Sequence, residues 1–238
     1  IMNILLFLFL YLIFSFTAAE EELGTIEVIG VSPLPGILIE KNKYPSTSQS
    51  INEKIIKQNL SKTLADIMNE NLAGVTVKDI QNGSFQKNVD YRGFTASPLL
   101  GESQGITVYL DGVRLNESFG DTVQWELIPE YAIKKVDLMS SNPAFGLNAL
   151  GGSIALSTKK GLDYRSKKHL DNSIKIGSFA YHSESFEFGT GNEDTGFYAS
   201  FEKASDGGWR DHSDGKIGRF YSNFGHEKDA YDINFSIL

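Results

Sequence analysis

The sequence has 238 residues, the length of one domain or one and a half, and 41% of them are hydrophobic, enough for a packed core. A formal charge of −8 argues against a protein that grips nucleic-acid phosphates, because such binding draws on clustered Lys and Arg. With no cysteine there is no disulfide, thiolate zinc site or Cys nucleophile, and the four histidines (His169, His182, His212 and His226) are too scattered to suggest a ligand pair and are expected at solvated or rim positions.

Residues 4–14 are an unbroken apolar run, and Thr17 and Ala19 are small residues at the spacing a signal peptidase reads. The run is shorter than the ~20 residues that span a bilayer as a helix, so residues 1–19 are expected to be an export signal rather than a membrane anchor. No Lys or Arg precedes the run and Ile1 stands before Met2, which places the expected true start upstream. Residues 20–43 begin acidic and contain Pro33, Pro35 and Gly36, so an extended or disordered leader is expected there. Within it Thr25, Ile26, Glu27, Val28, Ile29 and Gly30 form a short alternating stretch of strand propensity. It reads as a first domain strand or as a strand able to pair with another protein's sheet edge.

From Ser50 the pattern becomes mixed α and β. Asn52 and Ser61 are expected N-caps of two short helices, with Ile55 and Ile56 on one apolar face and Leu64, Ile67 and Met68 on the other. Gly74 is expected to end the second helix. Strands are expected at Val75–Val77, at Val89–Arg92 before Gly93, at Val136–Leu138 and at Ser153–Leu156, with a helix starting at Pro129. Asp111-Gly112 between alternating apolar residues predicts a type I′ hairpin turn, since both central residues need positive φ. No phosphate-cradling glycine loop or nucleophile-elbow spacing occurs, so no enzyme activity or cofactor is expected. The basic run Lys159, Lys160, Arg165, Lys167 and Lys168 reads as a solvated connector to a second region.

That second region is different in kind. Residues 20–169 hold 10 aromatics in 150 positions, whereas residues 170–238 hold 13 in 69. Phe186 and Phe188 alternate with Ser185 and Glu187; Phe197, Ala199 and Phe201 alternate with Tyr198, Ser200 and Glu202. Phe220, Ser222 and Phe224 then alternate with Arg219, Tyr221 and Asn223, and Tyr231, Ile233, Phe235 and Ile237 with Asp232, Asn234 and Ser236. Strands of about ten residues with one apolar side suit a transmembrane β-barrel, and a soluble sandwich gives the same alternation. Short turns at 192–194 and 227–229 against a longer polar loop at 206–215 favour the barrel. About five strands cannot close a cylinder around a domain of this size, so a longer protein is expected, of which this is the N-terminal part.

Several motifs then fall in a familiar order: Leu64-Ala65-Asp66-Ile67, Ala73-Gly74-Val75, Arg92-Gly93-Phe94, Tyr109-Leu110-Asp111-Gly112-Val113, Ile128-Pro129 and the run from Phe145 to Gly152. In order and spacing they resemble the plug domain of TonB-dependent outer-membrane receptors. The resemblance implies an α+β plug (a small mixed sheet with short helices) over residues 44–161, followed over 162–238 by the first antiparallel strands of a transmembrane β-barrel. It implies that Thr25 to Gly30 is the TonB box, with TonB, driven through ExbB and ExbD, as the partner. The implied function is active uptake of a scarce solute (a siderophore, cobalamin, glycan or similar) across the outer membrane, with plug and leader on the periplasmic side. The alternatives are a passive barrel or surface adhesin and a secreted soluble enzyme. Segments 94–104 and 116–125 would face outward, with Phe94, Phe119 and Trp125 placed to stack on a solute and Arg92 or Asp121 placed to pair with its charge. The competing reading buries Arg92 against the wall and uses the aromatics for packing. One departure from the family is Ser141-Asn142-Pro143 in place of Arg-Gly-Pro, which removes an arginine expected to pair with barrel glutamates.

Overall fold

The computed structural model describes residues 28–30, 38–40, 47–59, 63–80, 83–140, 146–228 and 231–238. The first domain is built on a five-stranded mixed sheet. Its strands are β3 (Ser48–Ile51), β7 (Ile106–Leu110), β8 (Val113–Arg114), β9 (Ile133–Ser140) and β10 (Gly152–Thr158), in the order β3-β9-β10-β7-β8. β10 and β7 are parallel, Ile154 opposite Val108, and the remaining pairs are antiparallel. β7 is buried at every position, as a strand covered on both faces should be. Its far edge is completed by a side chain: Asn116 accepts from the Val108 amide at 2.8 Å and donates to the Ile106 carbonyl at 3.0 Å.

A three-stranded meander packs beside this sheet: β4 (Val75–Asp79), β5 (Lys87–Tyr91) and β6 (Phe94–Ala96). Two short helices cover the core, α1 (Glu53–Gln58) and α2 (Leu64–Asn71). Asn52 caps α1, accepting from the Ile55 amide at 3.1 Å. The cap of α2 is Thr63, which accepts from the Asp66 amide at 3.2 Å; the expected cap, Ser61, lies outside the described residues. Leu64, Ile67 and Met68 are buried with Ile56, Val89, Ile106, Val136, Leu138 and Ile154 in one continuous core. Asp111 (φ 49°) and Gly112 (φ 85°) form the expected hairpin turn.

Other expectations need correction. Arg92 (φ 53°) and Gly93 (φ 82°) do not merely stop a strand; they turn it, and Phe94 opens β6. Pro129 precedes a single 3-10 turn, Glu130–Ala132, instead of a longer helix. Within the leader, β1 (Val28–Gly30) pairs antiparallel with β2 (Leu38–Glu40), Val28 opposite Glu40. Thr25, Ile26 and Glu27, together with Pro33, Pro35 and Gly36, lie outside the described residues. The basic run is solvated only in part: Lys167 and Lys168 are exposed, whereas Lys159 is buried and leads into the 3-10 turn Gly161–Tyr164.

The chain then enters an antiparallel sheet of five sequential strands: β11 (Lys168–Ile176), β12 (His182–Gly191), β13 (Thr195–Asp206), β14 (Gly215–Lys228) and β15 (Tyr231–Ile237). Register stacks like with like. On one face Phe186, Phe201 and Phe220 line up across three strands, as do Phe197, Phe224 and Phe235. On the other face Ser185, Glu202 and Arg219 line up, followed by Tyr198 and Asn223. The exposure is inverted relative to a water-soluble sheet. Those phenylalanines are exposed, while Ser183, Ser185, Glu187, Ser200, Glu202, Arg219 and Asn223 are buried against the first domain. The sheet is open at β11 and β15, and no helix among the described residues is long and apolar enough to cross a membrane.

Candidate functional site

Two places in the molecule carry chemistry beyond the core: the seam between the first domain and the strand wall, and a cluster of loops at the end remote from the chain's entry into β11.

The seam is largely polar, with one small apolar patch where Ala132 and Tyr164 pack on Tyr198 and Tyr221. Its anchor is a close approach of two backbones, where a Cβ on Gly161 would strike the Gly196 carbonyl and one on Gly196 would strike that of Gly161. The Gly161 amide donates to Asn223 Oδ1 at 2.5 Å. Above it, Thr158 donates through Oγ1 to Asp111 Oδ2 at 2.5 Å and stands 2.7 Å from the Tyr221 hydroxyl, while Lys160 pairs with Asp111 at 2.6 Å. Lys159 forms a fully buried ion pair with Glu187, whose carboxylate also accepts from the Tyr198 hydroxyl at 2.7 Å. The Tyr198 ring stacks on Tyr164 with centroids 5.2 Å apart.

Farther up the wall Arg219 donates to the Glu126 carbonyl at 2.6 Å and to Glu202 Oε2 at 2.8 Å, and reaches Glu130 at 3.4 Å. Burial pushes the Glu130 carboxyl above the usual carboxylate range, against the opposing pull of Arg219. Lys175 of β11 sits 4.9 Å over the Tyr131 ring. Ser141, Asn142 and Pro143 lie outside the described residues, but domain and wall are nonetheless joined by ion pairs, Lys159–Glu187 and Glu130–Arg219. A seam of this kind has a chemical consequence. When the domain shifts, water can take over the hydrogen bonds that break, at small net cost, whereas an apolar seam would resist opening.

At the opposite end three loops converge. Arg114 pairs with Asp121, Asn148 donates to the same carboxylate, and Thr107 donates to the Leu147 carbonyl at 3.0 Å. Leu100 packs over Gly120, and the Gly151 amide donates to the Gly105 carbonyl at 2.9 Å. Leu100, Phe119 and Leu147 project from this cluster at 61%, 78% and 80% exposure. Beside it, Ser84 donates to Asp206, and Phe85 lies 6.5 Å from the Tyr181 ring, which ties the meander to the outer ends of the wall strands.

The expected solute contacts separate on this geometry. Phe119 and Arg92 are exposed, Arg92 with its guanidinium 5.1 Å over the Tyr91 ring. Trp125 is buried at 3% exposure and donates from Nε1 to the Ala96 carbonyl at 2.9 Å, so its ring is committed to the core. Phe94 is packed between Gly105 and Gly151. The Asp121 carboxylate is taken up by Arg114 and Asn148. Among the described residues no cluster of His, Asp and Glu is arranged to hold a metal ion. Sequence reasoning did not reach the seam residues Lys159, Glu187, Glu130 and Arg219 as a site. The one signal for them was that Glu187, Glu202 and Arg219 occupy the polar side of strands whose other side is phenylalanine.

The family model "TonB-dependent Receptor Plug Domain" matches residues 40–153. Comparison with curated proteins gives no match. Among solved structures, the chain is similar to the pyoverdine outer membrane receptor FpvA from Pseudomonas aeruginosa PAO1 bound to pyoverdine, with TM-score 0.65, 15% identity, and coverage of 91% of this chain and 30% of that one. It is similar to the copper transporter OprC, with TM-score 0.63, 15% identity and coverage of 79% and 29%. It is also similar to the ferric yersiniabactin uptake receptor FyuA from Yersinia pestis, with TM-score 0.58, 16% identity and coverage of 80% and 30%. At these identities the likeness shows the fold, and the chain spans less than a third of each receptor's length.

Proposed function

We propose, from the match of residues 40–153 to the TonB-dependent receptor plug domain model, that the protein takes up a scarce solute across the bacterial outer membrane. The observation that supports this best is the inverted strand wall: phenylalanines outward and a buried polar face that holds the plug. A phenylalanine face of this kind suits lipid, and a polar inner face suits a plug that must shift. On this reading the end where the chain enters β11 is periplasmic and the loop cluster of Leu100, Phe119 and Leu147 faces outward. The solved receptors of this fold carry pyoverdine, copper or ferric yersiniabactin by their names, and this chain's solute falls in the same broad class of scarce nutrients.

The outer membrane holds no nucleotide pool, so the work of moving the plug has to arrive mechanically through a segment that can be gripped. Thr25, Ile26, Glu27, Val28, Ile29 and Gly30 are the proposed TonB box, gripped by backbone pairing with TonB, which ExbB and ExbD energise. Phe119 and Arg92 are the plug residues proposed to meet solute. Deleting residues 25–30 tests the reading: accumulation of the solute is expected to fall to the level seen without proton-motive force, with surface binding retained. Accumulation that survives the deletion would point instead to a passive barrel.

A further inference from the structure

At the entry end of the seam lies a polar cavity of about 380 Å³, bounded by α1, β9, the end of β10 and the start of β11. Its walls carry Lys57, Lys134, Lys159, Lys167, Lys168 and His169. Three of these lysines are matched by neighbouring carboxylates: Lys57 by Glu53 at 2.7 Å, Lys134 by Asp163 at 2.7 Å, and Lys159 by Glu187. Lys167 and Lys168 have no carboxylate partner among the described residues, and His169 Nε2 has no hydrogen-bond partner, the nearest carboxylate oxygen (Glu187) being 3.8 Å away. In a chain of net charge −8, the cavity is therefore a local excess of positive charge.

The form of the charge indicates the ligand. Lysine ammoniums are mobile point charges spread around the cavity, without the planar fork that grips a single phosphate bidentately. Such a wall suits several carboxylates on one flexible backbone. The chain contains that backbone: Glu20, Glu21, Glu22 and Glu27 precede the first lysine after the export signal, Lys41. With β1 paired to β2, Val28 opposite Glu40, the positions from Glu22 to Val28 and from Glu40 to Thr47 still give the leader a reach of up to ~45 Å when extended. We propose that the cavity is a docking site for the chain's own acidic leader, Glu20–Glu22, which lie outside the described residues. The docking holds the leader at the plug's entry face. Its consequence, that the neighbouring TonB box is held close to the plug until TonB competes for it, rests on the uptake reading; the docking itself does not.

These 238 residues contain no cysteine, and any cysteine in the remainder of the longer protein is replaced by serine before the test. In the full-length protein in outer-membrane vesicles, Leu23→Cys is combined with Gln58→Cys, an exposed position beside Lys57 that leaves every cavity lysine in place. Disulfide formation under a mild oxidant is compared with the control pair Leu23→Cys and Asp211→Cys, at the other end of the wall. The cavity pair is expected to cross-link far faster than the control. Reversing Lys167 and Lys168 to glutamate is expected to lower its yield by several-fold to roughly tenfold, the scale of two exposed ion pairs. Reversing Glu20, Glu21 and Glu22 to lysine in that background is expected to restore it. Equal yields for both pairs, or a yield indifferent to both reversals, would overturn the docking proposal while leaving uptake untouched. A parent protein that accumulates no solute while the cavity pair cross-links as expected would overturn the transport reading alone.

Discussion

Replacing Lys159 by methionine removes the cation of the most deeply buried ion pair between plug and wall. Both side chains are 4% exposed, and Glu187 would be left with the Tyr198 hydroxyl as its close donor. Truncating one partner of such a pair strands a charge in low dielectric and costs about 3–5 kcal/mol. Removing both charges costs far less, because the desolvation penalty disappears together with the attraction. The assay is urea unfolding of the plug in the intact protein, followed by a fluorophore on a single cysteine at the exposed position Val113. With a urea slope of roughly 2 kcal/mol/M, Lys159→Met is expected to lower the plug midpoint by about 2 M. The double variant Lys159→Met, Glu187→Gln, which keeps an acceptor for Tyr198, is expected to recover more than half of that loss. A single-variant shift below about 0.5 M, or losses from the two sites that simply add, would refute the assignment of this pair as a coupled anchor.

Gly196→Ala places a methyl group against the Gly161 backbone and is expected to loosen plug seating by about 1–3 kcal/mol, read as a lower urea midpoint for plug release. Trp125→Ala empties a buried site and is expected to cost about 3–5 kcal/mol in plug stability, seen in the same titration. Phe119→Ala, at an exposed loop position, is expected to leave that midpoint within about 0.5 kcal/mol of the parent while weakening solute binding in a direct binding assay. The opposite pattern, a stable Trp125→Ala and an unfolded Phe119→Ala, would reverse the roles given to the two aromatics.

The contrast between those aromatics shows what sequence could and could not convey. Local rules carried well: Asn52 as a cap, Asp111-Gly112 as a turn, and the two-residue alternation of residues 185–202 all depend on near neighbours. The wall's inward and outward faces followed from that alternation, because a strand's side chains have only two directions to point. Trp125 and Phe94 were harder. An aromatic in a polar loop reads as free to bind, and only the fold reveals the Ala96 carbonyl that Trp125 reaches or the glycines that enclose Phe94. The basic run misled for a related reason. Lys159 looks solvated beside Lys160 until β12 supplies Glu187 from 28 residues away. Arg219 and Glu130 meet across 89 residues, and no local pattern announces such a pair.

On the proposed function, the wall's aromatic face meets lipid and its polar face holds the plug. Phe201 and Ser200 are consecutive residues of β13 on opposite sides of that wall. In the longer protein, with any cysteine outside these 238 residues replaced by serine, a fluorophore on Phe201→Cys is expected to be quenched strongly by brominated lipid in reconstituted membranes, and one on Ser200→Cys scarcely at all. Equal quenching at both positions, or none at either, would contradict the account.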